Sequence, residues 1–206
     1  MKIIAISHRK MGLSALVLDD GQEILVDTEL LLSKGISEKS EIDDIEKLLY
    51  ESDFKRAKSR GFWYLSRRDY SKKELTDKLV SGGFSHSAAV AAVEKICEMG
   101  YVDDQAYAER LFEQLSERGL SSKREVIEKL RLKGVPSEII KQISENFPSD
   151  EEEKIKELIG KRYAGRLATE DGTRKVFAAL IRKGFQFSDV KRAIREYNLE
   201  FDCEED

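Results

Sequence analysis

The hydrophobic positions of this chain change period near residue 50. Ahead of that point, KIIAIS at residues 2–7, LSALVLD at 13–19 and QEILVDT at 22–28 read as short strands. The last two flank Asp20-Gly21, a dipeptide that tolerates the positive φ of a tight turn, so the pattern predicts a small β-hairpin. From Glu29 the spacing becomes helical, and Ile42, Ile45, Leu48 and Leu49 recur at intervals of three and four. A helix here gives the strands the apolar cover that an isolated hairpin lacks in water.

Beyond this region the pattern repeats. Leu75, Leu79, Gly83 and Phe84 match Val126, Leu130, Gly134 and Val135, 51 residues on, and then Val176, Leu180, Gly184 and Phe185, a further 50 residues on. Each copy continues into another helix, with Ala89, Ile140 and Val190 in one column and Ile96, Phe147 and Tyr197 in a later one. Ser71 to Glu74 and Ser122 to Glu125 have the spacing of capping boxes; in the third copy Gly172 and Lys175 occupy those columns, and Asp171 or Thr173 is expected to cap instead. Gly83, Gly134 and Gly184 suit the left-handed residue that ends a helix, and Ser85, Ser137 and Ser188 suit the start of the next.

Each copy therefore predicts three short helices, at about 54–66, 71–82 and 85–99, then 103–118, 122–133 and 137–146, then 150–163, 172–183 and 187–198. The expected fold class is mainly α: three tandem three-helix repeats in an elongated curved array, with a small N-terminal α+β domain containing the hairpin. The expected divisions are 1–53, repeats at 54–102, 103–148 and 149–199, and an acidic tail at 200–206. Helices of a dozen residues bury little apolar surface alone, so neighbouring repeats should lean on one another.

Composition removes several chemistries. The 206 residues carry 36 Lys+Arg against 40 Asp+Glu, a net charge of −4, with two prolines and 40% apolar residues, which excludes a disordered or Pro-rich chain. No apolar run approaches the roughly 18 residues of a membrane span, and MKIIAISHRK is too soon interrupted by charge for a secretory signal; the expected compartment is the cytoplasm. Cys97 and Cys203 form no CxxC pair and read as free thiols, while His8 and His86 lie in no HExxH-like pattern. With no phosphate loop or dinucleotide fingerprint either, no catalytic residue, cofactor or metal is expected.

The run GYVDDQAYAERLFEQLSERGLSSKREVIEKLRLKGVP at residues 100–136 resembles the central signature of the RecX family, regulators of the RecA recombinase. Gly100-Tyr101, Asp103-Asp104, Tyr107-Ala108 and Arg118-Gly119 occur there in order. LSRRDYSKKELTDKLVSGGF at residues 65–84 resembles the first module of that family, and with the third repeat the similarity spans about residues 54–198. The hairpin region resembles an N-terminal extension carried by some members. The resemblance implies a non-enzymatic protein that binds RecA and RecA–single-stranded DNA filaments. Such proteins lie along the filament groove and lower ATP hydrolysis, strand exchange and coprotease activity in DNA repair and the SOS response.

Charge placement bears on that implication. Residues 61–199 hold 26 basic and 23 acidic side chains, whereas residues 1–60 and the tail are net acidic. Arg118, Lys123, Arg124, Lys129, Arg131 and Lys133 face only Glu125 and Glu128 across residues 118–133. Arg67, Arg68, Lys72, Lys73 and Lys78 form a related cluster in the first repeat, and Arg174, Lys175, Arg182 and Lys183 in the third. A solvated helix surface, with Glu125 and Lys129 as an ordinary i,i+4 pair, accounts for individual lysines. The set as a whole reads as one partner-facing basic stripe. Arginine leads it, because its planar fork grips carboxylate or phosphate with two bonds. Asp103 and Asp104 read as a helix cap, and Trp63, Tyr64, Tyr101 and Tyr107 as core or joint residues.

The expected partners are RecA and its filament, with weak direct DNA binding in addition, and the protein is expected to be a monomer. An autonomous helix-turn-helix-like DNA-binding module or a general interaction scaffold is the alternative. The sequence pI near 5.5 disfavours strong autonomous DNA binding.

Overall fold

The computed structural model describes residues 1–117, 121–147 and 151–202, which form a mainly helical chain with a three-stranded sheet at its N-terminus. Two compact units divide it, Met1–Asp103 and Asp104–Asp206.

In the first unit, β1 (Ile3–His8), β2 (Leu13–Leu18) and β3 (Glu23–Asp27) pair antiparallel in the order β1-β2-β3. The Asp20-Gly21 turn forms as the dipeptide requires: Gly21 sits at φ 86° and the Asp20 carboxylate accepts the Gln22 N–H at 2.9 Å. A second turn at Lys10–Gly12 brings β1 into the sheet, so the predicted hairpin is two thirds of a meander. Ile3, Leu16, Leu18, Ile24 and Val26 point to one side, where Leu31 of α1 (Thr28–Ser33) and Leu48 of α2 (Ile45–Leu65) cover them.

Helix α2 runs straight across residue 54, where the pattern begins the first repeat. Its early turns serve the sheet: buried Ser52 accepts the Asp27 N–H at 2.8 Å, and Lys55 bridges Asp27 at 2.9 Å and Glu29 at 2.5 Å. Burial pulls the Lys55 ammonium down, but its hydrogen bonds to Glu29 and Asp27 outweigh that and hold its pKa above the ordinary lysine value. The later turns pack Ala57 against Leu75 and Leu79 of α3 (Lys72–Ser81) and Ala89, Ala92, Val93 and Ile96 of α4 (His86–Glu98). Gly61 allows close approach, since a Cβ there would lie 2.6 Å from Ile96 Cδ1.

The second unit contains α5 (Asp104–Glu117), α6 (Lys123–Leu132) and α7 (Ser137–Glu145), then α8 (Glu151–Arg162), α9 (Glu170–Arg182) and α10 (Phe187–Asp202). Val126, Leu130, Val135 and Ile140 share one core; Val176, Leu180, Phe185 and Val190 share another.

The repeat columns have one structural identity. Phe84, Val135 and Phe185 each donate an N–H to the carbonyl five residues back, on Leu79, Leu130 and Leu180, across Gly83, Gly134 and Gly184 at φ 93°, 72° and 90°. This is the Schellman closure, and it requires a left-handed residue where glycine stands. The Ser71 and Ser122 hydroxyls accept the N–H of Glu74 and Glu125, each at 3.1 Å.

Two capping expectations are corrected. In the third repeat Thr169, not Asp171 or Thr173, caps α9 by accepting the Gly172 N–H at 3.1 Å. The helix starts earlier because the chain turns back at Ala164–Arg166, leaving no room at residue 172 for a Cβ, which would meet the Arg166 carbonyl oxygen at 1.9 Å. Ser85 holds the N-cap position of α4 without a capping bond. Ser137 is already inside α7, with its hydroxyl donating to Glu138, and Ser188 is inside α10.

Candidate partner-binding surfaces

The basic residues singled out above are held in three different ways. The first is neutralisation by a nearby carboxylate. Lys73 pairs with Asp77 at 2.6 Å, Lys129 with Glu125 at 2.7 Å, Arg131 with Glu128 at 2.8 Å, Arg174 with Glu170 at 2.5 Å and Lys175 with Asp171 at 2.7 Å. Arg68 reaches Glu74 at 3.4 Å, and Lys72 lies 3.9 Å from Glu94 of α4. The pairs within one helix each contribute only a few tenths of a kcal/mol, about 0.3–0.5, and they lower the local potential.

The second is contact with an aromatic ring. At the last turn of α2 the Arg67 guanidinium carbon lies 4.3 Å from the centre of the Trp63 ring, and that of Arg68 lies 3.7 Å from the Tyr70 ring. Lys78, from α3, sits 5.7 Å from the Tyr64 ring. Sequence reasoning missed Arg60, whose guanidinium carbon is 5.2 Å from Trp63; the spacing Arg60, Trp63, Arg67, with steps of three and four on one helix face, carries that signal. The aromatic expectation is corrected as well. Trp63 is 44% exposed and Tyr101 61% exposed, whereas Tyr107 is buried and Tyr64 half-buried. Trp63 lies on the α2 face away from Ala57 and Gly61, so the core never reaches it.

The third group remains uncompensated. Among the described residues neither the Lys123 ammonium nor the Arg124 guanidinium has a carboxylate within ion-pair distance, and Arg182 makes a 3.3 Å bond to the Ala178 carbonyl. Outside this group, Lys133 and Lys183 lie at the ends of α6 and α9, with Lys183 4.0 Å from Glu125. Arg118 lies outside the described residues.

Packing between α6 and the end of α9 brings repeat residues together. The Ser122 hydroxyl, besides capping α6, donates to the Lys183 carbonyl at 2.6 Å, and Glu151 accepts the Lys123 N–H at 2.7 Å. Gly184 fits beneath Arg124: a Cβ there would lie 2.8 Å from Ser122 Oγ and 3.0 Å from Arg124 Cβ. Beside this joint opens a cleft of about 800 Å³ in which Lys123, Arg124 and Arg131 face Ile127 and the 64% exposed Phe187. Arg131 also lines a second cleft, of about 310 Å³, with Lys141 of α7. The first cleft, which Glu128 and Glu151 also line, combines charged groups with apolar contact, a combination suited to a partner surface.

Comparison with known proteins agrees with the repeat. Residues 57–95 match the family model described as RecX, first three-helix domain. A protein of Caldanaerobacter subterraneus subsp. tengcongensis named Regulatory protein RecX is 31% identical over 199 residues, covering 94% of this chain and 98% of its own. Another so named, from Trichlorobacter lovleyi, is 36% identical over 137 residues, covering 64% of this chain and 88% of its own. In fold, a crystal structure of regulatory protein RecX superposes with a TM-score of 0.63 at 24% identity, over 95% of this chain and 98% of that one. RecX from Lactobacillus salivarius gives 0.58 at 22% identity, over 71% and 97%.

Proposed function

The chain belongs to the RecX family, and from that membership we propose that it is a non-enzymatic regulator that binds RecA and RecA–single-stranded DNA filaments. In this reading it inhibits ATP hydrolysis, strand exchange and coprotease activity during DNA repair and SOS recombination, acting as a cytoplasmic monomer. The observation that carries the reading is the α6 cleft, where Lys123 and Arg124 are uncompensated beside an exposed Phe187. Three repeats provide several weak contacts to a filament that itself repeats, and linking them raises their effective concentration. The charge-paired lysines and arginines noted above then serve solubility more than affinity.

The test is DNA-dependent ATP hydrolysis by the cognate RecA across a concentration series of this protein. Hydrolysis should fall, and a Lys123→Glu/Arg124→Glu variant that retains its helical signal should need about tenfold more protein for the same inhibition, roughly 1.4 kcal/mol of lost binding. Unchanged hydrolysis with no filament association would overturn the reading, and normal inhibition by the double variant would remove the α6 face from it.

A further inference from the structure

We infer that the last turn of α2 and the facing side of α3 form a contact site for single-stranded nucleic acid, centred on Trp63 and served by Arg60, Arg67 and Lys78. The inference does not rest on the recombinase reading, because it concerns the chain alone.

Trp63 is the only tryptophan in the sequence, and it is 44% exposed. Tryptophan is enriched at contact surfaces because its ring combines a large apolar face with a polar edge. Its neighbours are cationic: Arg60 and Arg67 approach its ring at 5.2 and 4.3 Å, one turn before and one turn after it. The Tyr64 ring meets Trp63 edge-on at 5.2 Å, carries Lys78 at 5.7 Å, and lies 6.1 Å from the Tyr70 ring, which carries Arg68 at 3.7 Å. Rings and cations therefore alternate along one edge of the repeat.

The charges there are not cancelled. Glu74 takes Arg68 and Asp77 takes Lys73, but among the described residues no carboxylate pairs with Arg60, Arg67 or Lys78. A guanidinium resting on a ring is already positioned and still presents N–H donors outward, so it meets an incoming phosphate with little further ordering. The 44% of Trp63 left exposed beside these guanidinium groups gives a nucleobase indole surface to pack on. Alternating stacking faces and phosphate-directed cations describe how single strands are held without sequence readout. A duplex hides its base faces, and an acidic polypeptide would use the cations but leave the ring without a planar partner.

The lone tryptophan makes the test direct. Titrating the full-length protein with oligothymidylate should quench its intrinsic fluorescence, with log affinity falling against log salt at a slope of about −2, three cations at about −0.7 each for single strands. Arg60→Ala and Arg67→Ala, checked for unchanged circular dichroism, should each flatten that slope by about 0.7. By anisotropy with a labelled oligonucleotide, Trp63→Ala should bind about tenfold more weakly and Trp63→Phe should recover part of the loss. No quenching at low salt, equal quenching by poly-glutamate, or an unaltered slope in both arginine variants would overturn the assignment.

Discussion

The end of α2 and helix α6 carry basic clusters of similar density, yet the folded chain handles them differently. Around α2 the cations Arg60, Arg67 and Lys78 rest on rings and keep their charge. Along α6 the carboxylates one turn away take up Lys129 and Arg131, leaving Lys123 and Arg124 at the helix start. Ion pairing thus sets Lys129 and Arg131 aside, and the charge left at the start of α6 is that of Lys123 and Arg124. The glycines that end α3 and α9 differ in the same manner. Gly83 at φ 93° has open space where a Cβ would go, whereas Gly184 at φ 90° is covered by Ser122 and Arg124. The repeat dictates the backbone turn, and the neighbouring repeat decides whether that turn is also an interface.

The largest test of this contrast is alanine at the two glycines. Gly83→Ala bears only the left-handed backbone cost, about 1–2 kcal/mol, and Gly184→Ala adds a collision with Ser122 and Arg124 for roughly 2–4 kcal/mol in all. Denaturant midpoints of the two variants should therefore separate clearly, and equal losses would break the comparison. Next comes the serine that caps α6. Ser122→Ala removes a cap and strands the Lys183 carbonyl, and should lose about 2 kcal/mol. Protease sensitivity between α6 and α9 should rise in that variant, and an unchanged cleavage rate would show that the Ser122 bond does not hold the joint.

The smallest expected effect is acid sensitivity in the third repeat. The hydrogen bond from Lys156 of α8 holds the Glu196 carboxyl of α10 below its ordinary value of 4.5. Its stabilising share is therefore complete above that ordinary value and disappears as pH falls through the depressed one. Protection of the α10 amides, taken as the ratio of intrinsic to observed exchange rate at each pH, should decline in the native protein from pH 6 down to 3. In Glu196→Gln the part due to this pair should be missing, and identical profiles would show that the pair contributes nothing.

Much of this is legible in the sequence. Leu79, Leu130 and Leu180 are fully buried, and the Gly-apolar pairs after them close three equivalent turns, because periodicity and left-handed backbone are local properties. Thr169 was not legible, since its capping position follows from the return of the chain at Ala164–Arg166 and not from the repeat register. The exposure of Trp63 is not legible, because a helix pattern tells which residues share a face, but not which face a neighbouring helix covers.

The sequence by itself determined the elements, the glycine-closed ends of α3, α6 and α9 and the recurrence of a basic side chain at similar places in each repeat, all of which depend on residues within a turn or two of one another. Only tertiary structure decided which cations stay uncompensated, that Gly184 serves as a joint, and that one helix serves both the sheet and the first repeat. Those outcomes depend on side chains brought together from distant parts of the chain, as when Ser122 meets the carbonyl of Lys183. Charge and burial are properties of that encounter, and no local pattern contains it.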